Sequence, residues 1–179
     1  VYSIYFRNIE TGEELFDIIE GTQGNFRWLN NSNSLLFTVI DENHRPHAVK
    51  RHTLNTKPNE DEQIYIEPDP GFFVEITKSD SKKYLIIRSF DHQTSEARII
   101  DANCETGVPN LIESRVPGCK YDIFHHGKKL LILTNIDNAD DYKIVTAPLF
   151  SPGKDNWEDL ISHKSGVFIL AVKIFEKFW

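Results

Sequence analysis

The sequence predicts an all-β chain: a partial β-propeller with about three complete four-stranded antiparallel blades and a half blade at each end. Three observations predict it. Runs of four to six residues rich in Ile, Val, Leu, Phe and Tyr alternate with polar turns, the pattern of strands and too short for ordinary helices. The runs recur at a spacing of about 48 residues. Each repeat contains four of them, and four strands at a period in the high forties mark a propeller blade. A closed β-sandwich of about sixteen strands is the alternative, and it has no reason to repeat.

The elements follow in order. Tyr2 to Ile9 and Leu15 to Ile19 read as the last two strands of an earlier blade. First strands are Phe26-Arg27-Trp28, Phe73 to Ile76 and Tyr121-Asp122-Ile123. Second strands are Leu35 to Ile40, Tyr84 to Arg88 and Leu130 to Thr134. Third strands are Ala48 to Leu54, Glu96 to Ala102 and Tyr142 to Ala147. Short fourth strands, Ile64 to Ile66, Leu111-Ile112 and Leu160-Ile161, close each unit. Val167 to Val172 and Ile174 to Trp179 read as the first two strands of a later blade. The blades therefore span about 1–20 (half), 24–68, 72–114, 119–163 and 167–179 (half). Asn30 to Ser34, Lys78 to Lys82 and His125 to Lys128 are the turns, because Asn, Asp, Ser and Gly tolerate left-handed backbone or bond to their own main chain.

Composition excludes several classes. Of 179 residues, 40% are hydrophobic and 12% aromatic, enough for a sizeable core. No apolar run approaches the roughly 18 residues of a membrane span. The formal net charge of −7 argues against a nucleic-acid surface, which needs a basic face. The two cysteines, Cys104 and Cys119, make neither a disulfide framework nor a four-ligand zinc site. A reducing cytoplasm is the expectation, with a bacterial periplasm as the alternative. The chain contains no Met and opens on a strand, which suggests a segment of a longer protein whose open blade faces and edge strands would self-associate.

Reactive constellations are not legible. Ser79, Ser81 and Ser89 lack the flanking glycines of a nucleophile elbow. Ser162, His163 and Asp159 could be grouped as a triad, but adjacent strand residues point to opposite faces. His44, His47 and His52 lie in a stretch where Arg45, Lys50 and Arg51 oppose a cation, so a solvated loop leading into a strand is expected. His125-His126-Gly127 reads as a hairpin turn. Asp137 to Asp141 lacks the sixth-position Gly of a calcium loop, having Tyr142 there. Gly21-Thr22-Gln23-Gly24 lacks the Lys-Ser/Thr tail of a phosphate loop. The expectation is no catalytic, cofactor-binding or metal-ligating residue, and no cofactor. A stand-alone interaction module remains the competing function at this point.

Several strings, in order, resemble one family. They are Asn8 to Leu15, Asp17 to Thr22, Arg51 to Thr56, Glu67-Pro68-Asp69-Pro70-Gly71-Phe72-Phe73-Val74, Thr94 to Ala102, Tyr121 to Gly127, and Asn156 to Ile161 with His163. Collinear over nearly the whole chain, they are similar to the propeller of the oligopeptidase B group (protease II) in the prolyl oligopeptidase family of serine peptidases. One departure is Asn55, where that family has Gly; Asn tolerates the same backbone. The resemblance implies a seven-bladed propeller paired with an α/β-hydrolase domain that carries a Ser-Asp-His triad and cleaves short peptides after Lys or Arg. It implies that this segment is non-catalytic, part of a gate that filters oligopeptide substrates, with the hydrolase domain of the same chain as its partner. No triad residue falls in the matched strings.

Overall fold

A computed structural model of the chain describes residues 1–175 together with 177 and 178. Among the described residues, thirteen strands, all paired antiparallel, form three sheets. The first sheet orders β1 (Tyr2–Arg7), β2 (Glu14–Trp28), β3 (Ser34–Ile40), β4 (Pro46–Thr53) and β5 (Glu62–Ile66) side by side. The second holds β6 (Phe73–Lys78), β7 (Tyr84–Phe90), β8 (Ser95–Asp101) and β9 (Asn110–Leu111). The third holds β10 (Tyr121–His126), β11 (Lys129–Thr134), β12 (Lys143–Pro148) and β13 (Glu158–Ile161). Only two single turns of 3-10 helix, Pro58–Glu60 and Lys154–Asn156, interrupt the strands among the described residues.

The second strand of each sheet explains the packing. Strands buried on both faces read as continuous apolar runs rather than as alternation. In β7, Leu85 and Ile87 face one neighbouring sheet and Ile86 faces the other. In β3, Leu36 joins the seam with the second sheet, while Leu35 and Phe37 pack on Ile4, Phe6 and Ile19. In β11, Leu130 and Ile132 face the second sheet, and Leu131 and Leu133 meet Val172 and Ile174. The sheets thus stack face to face in sequence order, the radial arrangement of propeller blades.

Two elements differ from the expectation. The two strands read at Leu15 to Ile19 and Phe26 to Trp28 are one strand, β2, so the initial half blade and the first full blade share a sheet. Thr22 pairs with Tyr2 on one side and Val39 on the other. Gly21 (φ 70) and Gly24 (φ 82) take left-handed backbone there, and the register shifts between Thr22 and Phe26. Glycines in a strand bend it at a bulge rather than ending it. Val167 to Val172 forms no regular strand, although Val172 and Ile174, two residues apart, still put buried side chains on the third sheet. The strand read at Ile174 to Trp179 lies partly outside the described residues.

Candidate functional site

The most strongly organised polar site lies where the first and second sheets meet. The Glu67 carboxylate, just beyond β5, is fully buried. Arg115, beyond β9, donates to both its oxygens at 2.9 and 3.0 Å. The Tyr65 hydroxyl donates at 2.8 Å, the Asp69 N–H at 2.9 Å, and the buried Ser89 hydroxyl donates as well. Burial pushes the Glu67 carboxyl up, but these donors, Arg115 foremost, outweigh it and hold it down at about 2. Burial, with the carboxylate beside it, pushes the Tyr65 hydroxyl up to about 12. The Arg115 guanidinium also lies 4.0 Å over the Phe72 ring and 3.6 Å from Glu96. Arg45 donates to the carbonyls of Asp69 and Phe72 at 2.8 and 2.6 Å, so the connector between the two sheets is held at both ends.

The first strand of the second sheet, β6, packs against the first sheet, and that of the third, β10, against β8. Asn25, in the second half of β2, donates to the Ile76 carbonyl at 3.1 Å and accepts the Ile76 N–H at 2.7 Å, so it pairs with β6 as a strand would. Between β6 and β10, Arg88 reaches Glu75 at 3.1 Å and Asp122 at 2.9 Å. These three, with Thr77, Ile86 and Phe124, line a cavity of about 250 Å³. Burial raises the Asp122 carboxyl, with Arg88 opposing the shift. Glu75 and Asp122 remain partly exposed, so this end of the seam is acidic and accessible.

The residues considered in the sequence are dispersed. His163 faces Asp141 at 3.7 Å and Asp159 pairs with Lys143 at 3.1 Å, so Ser162, His163 and Asp159 form no triad. Asp137 also pairs with Lys143, and Asp141 accepts the Gly166 N–H at 2.7 Å, so the acidic loop spends its charges on neighbours. His125 and His126 end β10 rather than sitting in the turn, which is Gly127-Lys128. His125 is buried against Ser81 at 2.8 Å, and burial lowers its proton affinity. His44 is exposed in a turn that leads into β4, as expected, and His52 on that strand is wholly buried between Asp61 and Asp17, a pairing the sequence did not show. Among the described residues no group of three or more His, Cys, Asp and Glu is placed to hold a metal.

Sequence reasoning missed the Glu67–Arg115 pair, although a signal exists. The two residues are 48 positions apart, one repeat. Asn25 and Ile76 are 51 apart, and Asn30 and Lys82, also bonded across the seam, are 52 apart. In stacked repeats, equivalent positions meet across the seam. The Asp17, His52 and Asp61 cluster has no such spacing.

Comparisons with known proteins agree with this architecture. The family model for the prolyl oligopeptidase N-terminal β-propeller domain matches residues 1–179. Dipeptidyl aminopeptidase BI of Pseudoxanthomonas mexicana is 32% identical over 99% of this chain and 24% of its own length. Protease 2 of Moraxella lacunata is 33% identical over 83% of this chain and 22% of its own. The structure of oligopeptidase B from Leishmania major superposes with a TM-score of 0.87 at 29% identity, covering 91% of this chain and 23% of that one. The chain therefore spans about a quarter of the length of the relatives it matches.

Proposed function

The chain belongs to the prolyl oligopeptidase family as a stretch of its N-terminal β-propeller, and from that premise we propose that it is a non-catalytic gate for a serine peptidase domain carried elsewhere in the full-length chain. The gate admits short peptides to a hydrolase that cuts after Lys or Arg. The observation that carries this reading is the packed seam between sheets: apolar faces on both sides, the buried Glu67 held by Arg115 at the connectors, and the partly exposed Glu75 and Asp122 carboxylates on β6 and β10 joined by Arg88. A wall packed in this way excludes folded proteins and leaves a passage with acidic groups for basic peptides. The formal charge of −7 supports steering of the same sign. The hydrolase domain is its partner. In isolation the segment pairs with itself through open faces such as that of Tyr2, Tyr5 and Phe16 on the first hairpin.

The test uses the full-length chain. It should hydrolyse an arginine reporter peptide and leave a folded protein with an accessible arginine bond intact, while residues 1–179 alone turn over neither. Digestion of the folded protein would remove the gating role, and equal rates on arginine and uncharged reporters would remove the specificity. Replacing both Glu75 and Asp122 by their amides should raise KM for an arginine-rich peptide by about tenfold at low salt, and less at high salt.

A further inference from the structure

We propose that the gap between the first strands of the second and third sheets binds a short extended peptide, with its positive end at Glu75 and Asp122 and its carboxylate end at Lys83 and Lys173. The inference rests on the reading of this chain as the wall of a peptide passage, and it names where along that wall the peptide lies. Topology builds the gap. β6 is hydrogen-bonded to β7 alone and β10 to β11 alone, so among the described residues no strand joins the two. The matching place in the preceding seam is closed. There Asn25 bonds both backbone groups of Ile76, and Lys78 Nζ donates to the Trp28 carbonyl at 2.8 Å and to Asn30 Oδ1 at 2.7 Å. Between β6 and β10, by contrast, three cavities run end to end. The cavity of about 250 Å³ that holds Glu75 and Asp122 shares Thr77 and Phe124 with a second of about 250 Å³. The second shares Asp80, His125 and Ile174 with a third of about 430 Å³. From Glu75 to Asp80 an extended strand covers about 17 Å, the length of about five residues of a peptide lying alongside it.

The two ends of the gap carry opposite charge. At one end Arg88 lies between Glu75 and Asp122, at 3.1 and 2.9 Å, and neutralises one of them, so one negative charge is in excess. Toward the other end Lys173 lines the second cavity and Lys83 the third. Both lysines are exposed and form no ion pair with a described residue. They outnumber Asp80, which accepts the Ile174 N–H at 3.1 Å. Between the ends, Thr77 offers a hydroxyl, and Ile123, Phe124 and Ile174 offer apolar contact. A free short peptide has the matching polarity. Its ammonium group, reinforced by a basic side chain at that end, meets the carboxylates, and its terminal carboxylate meets the lysines. A gap of this length and polarity selects short peptides by both charged ends.

The test is calorimetric titration of the full-length chain, blocked by a serine-directed phosphonylating reagent so that the probe survives. The probes are the pentapeptide Arg-Ala-Ala-Ala-Ala and its carboxyl-terminal amide. The free acid should bind about tenfold more tightly than the amide. The double variant Lys83→Gln with Lys173→Gln should bind both forms alike, at the affinity of the amide. Equal binding of acid and amide by the wild type would overturn the proposal, as would a preference for the acid that survives in the double variant. At the other end, Asp122→Asn should erase the preference of the wild type for arginine over norleucine at the first position, and retention of that preference would overturn it too. The gate is read separately, on the unblocked wild type with a folded protein as substrate. A spared folded protein with no preference for the acid removes the peptide site alone, whereas a digested one removes the gate and with it the premise of the site.

Discussion

At the scale of single residues, the best-organised buried charge, Glu67, sits at the seam between the first and second sheets. Glu67 is surrounded by donors from two sheets, and removing one of them leaves a carboxylate stranded away from water. Arg115→Ala should therefore lower unfolding stability by about 3 kcal/mol, measured by denaturant titration, whereas Arg7→Ala, which deletes an exposed pair with Glu14, should change it by less than about 0.5 kcal/mol. The pH dependence has a definite sign. The folded state holds the Glu67 carboxyl below its ordinary value of 4.5, so its contribution is complete above that value and is lost as the pH falls toward about 2. An acid titration of wild type and Glu67→Gln should differ in that window, with the wild type losing more. Parallel curves would count against the assignment.

At the scale of elements, the second strands decide stability. β3, β7 and β11 bury both faces, so each of their apolar side chains serves one of two seams. Ile132→Ala, in the seam between the second and third sheets, should cost about 3 kcal/mol by cavity formation. The fourth strand offers a contrast, since all four residues of β13 are exposed and Leu160→Ala should change the denaturation midpoint little. β2 illustrates how an element boundary can mislead. Its glycines resemble a break in the sequence, but flanking residues with partners on both sides carry the strand through as a bulge.

At the scale of the whole molecule, the three sheets form an open stack rather than a closed body. Tyr5 (71% exposed) and Phe16 (67% exposed) lie at one end of it. Sedimentation of residues 1–179 should give dimers or larger species at micromolar concentration, and a monodisperse monomer over that range would contradict self-pairing through these faces. The seams are built from contacts about one repeat apart, so loosening one seam should leave the others folded.

The sequence by itself determined the repeat, the number of strands per repeat and the order of the sheets, because the alternation and spacing of apolar runs are local quantities that survive without coordinates. It also carried the strings by which the family is recognised, and it held the one-repeat spacing of Glu67 and Arg115 unread. The tertiary structure alone decided which charges meet. Asp17, His52 and Asp61 share no period, and they come together only because the β1–β2 hairpin folds its inward face over β4. Likewise, whether Gly21 and Gly24 end a strand or bend it depends on the partners on either side, which the folded sheet supplies. Strand period is set by backbone geometry; the pairing of buried polar groups is set by desolvation, which acts only once the faces have closed.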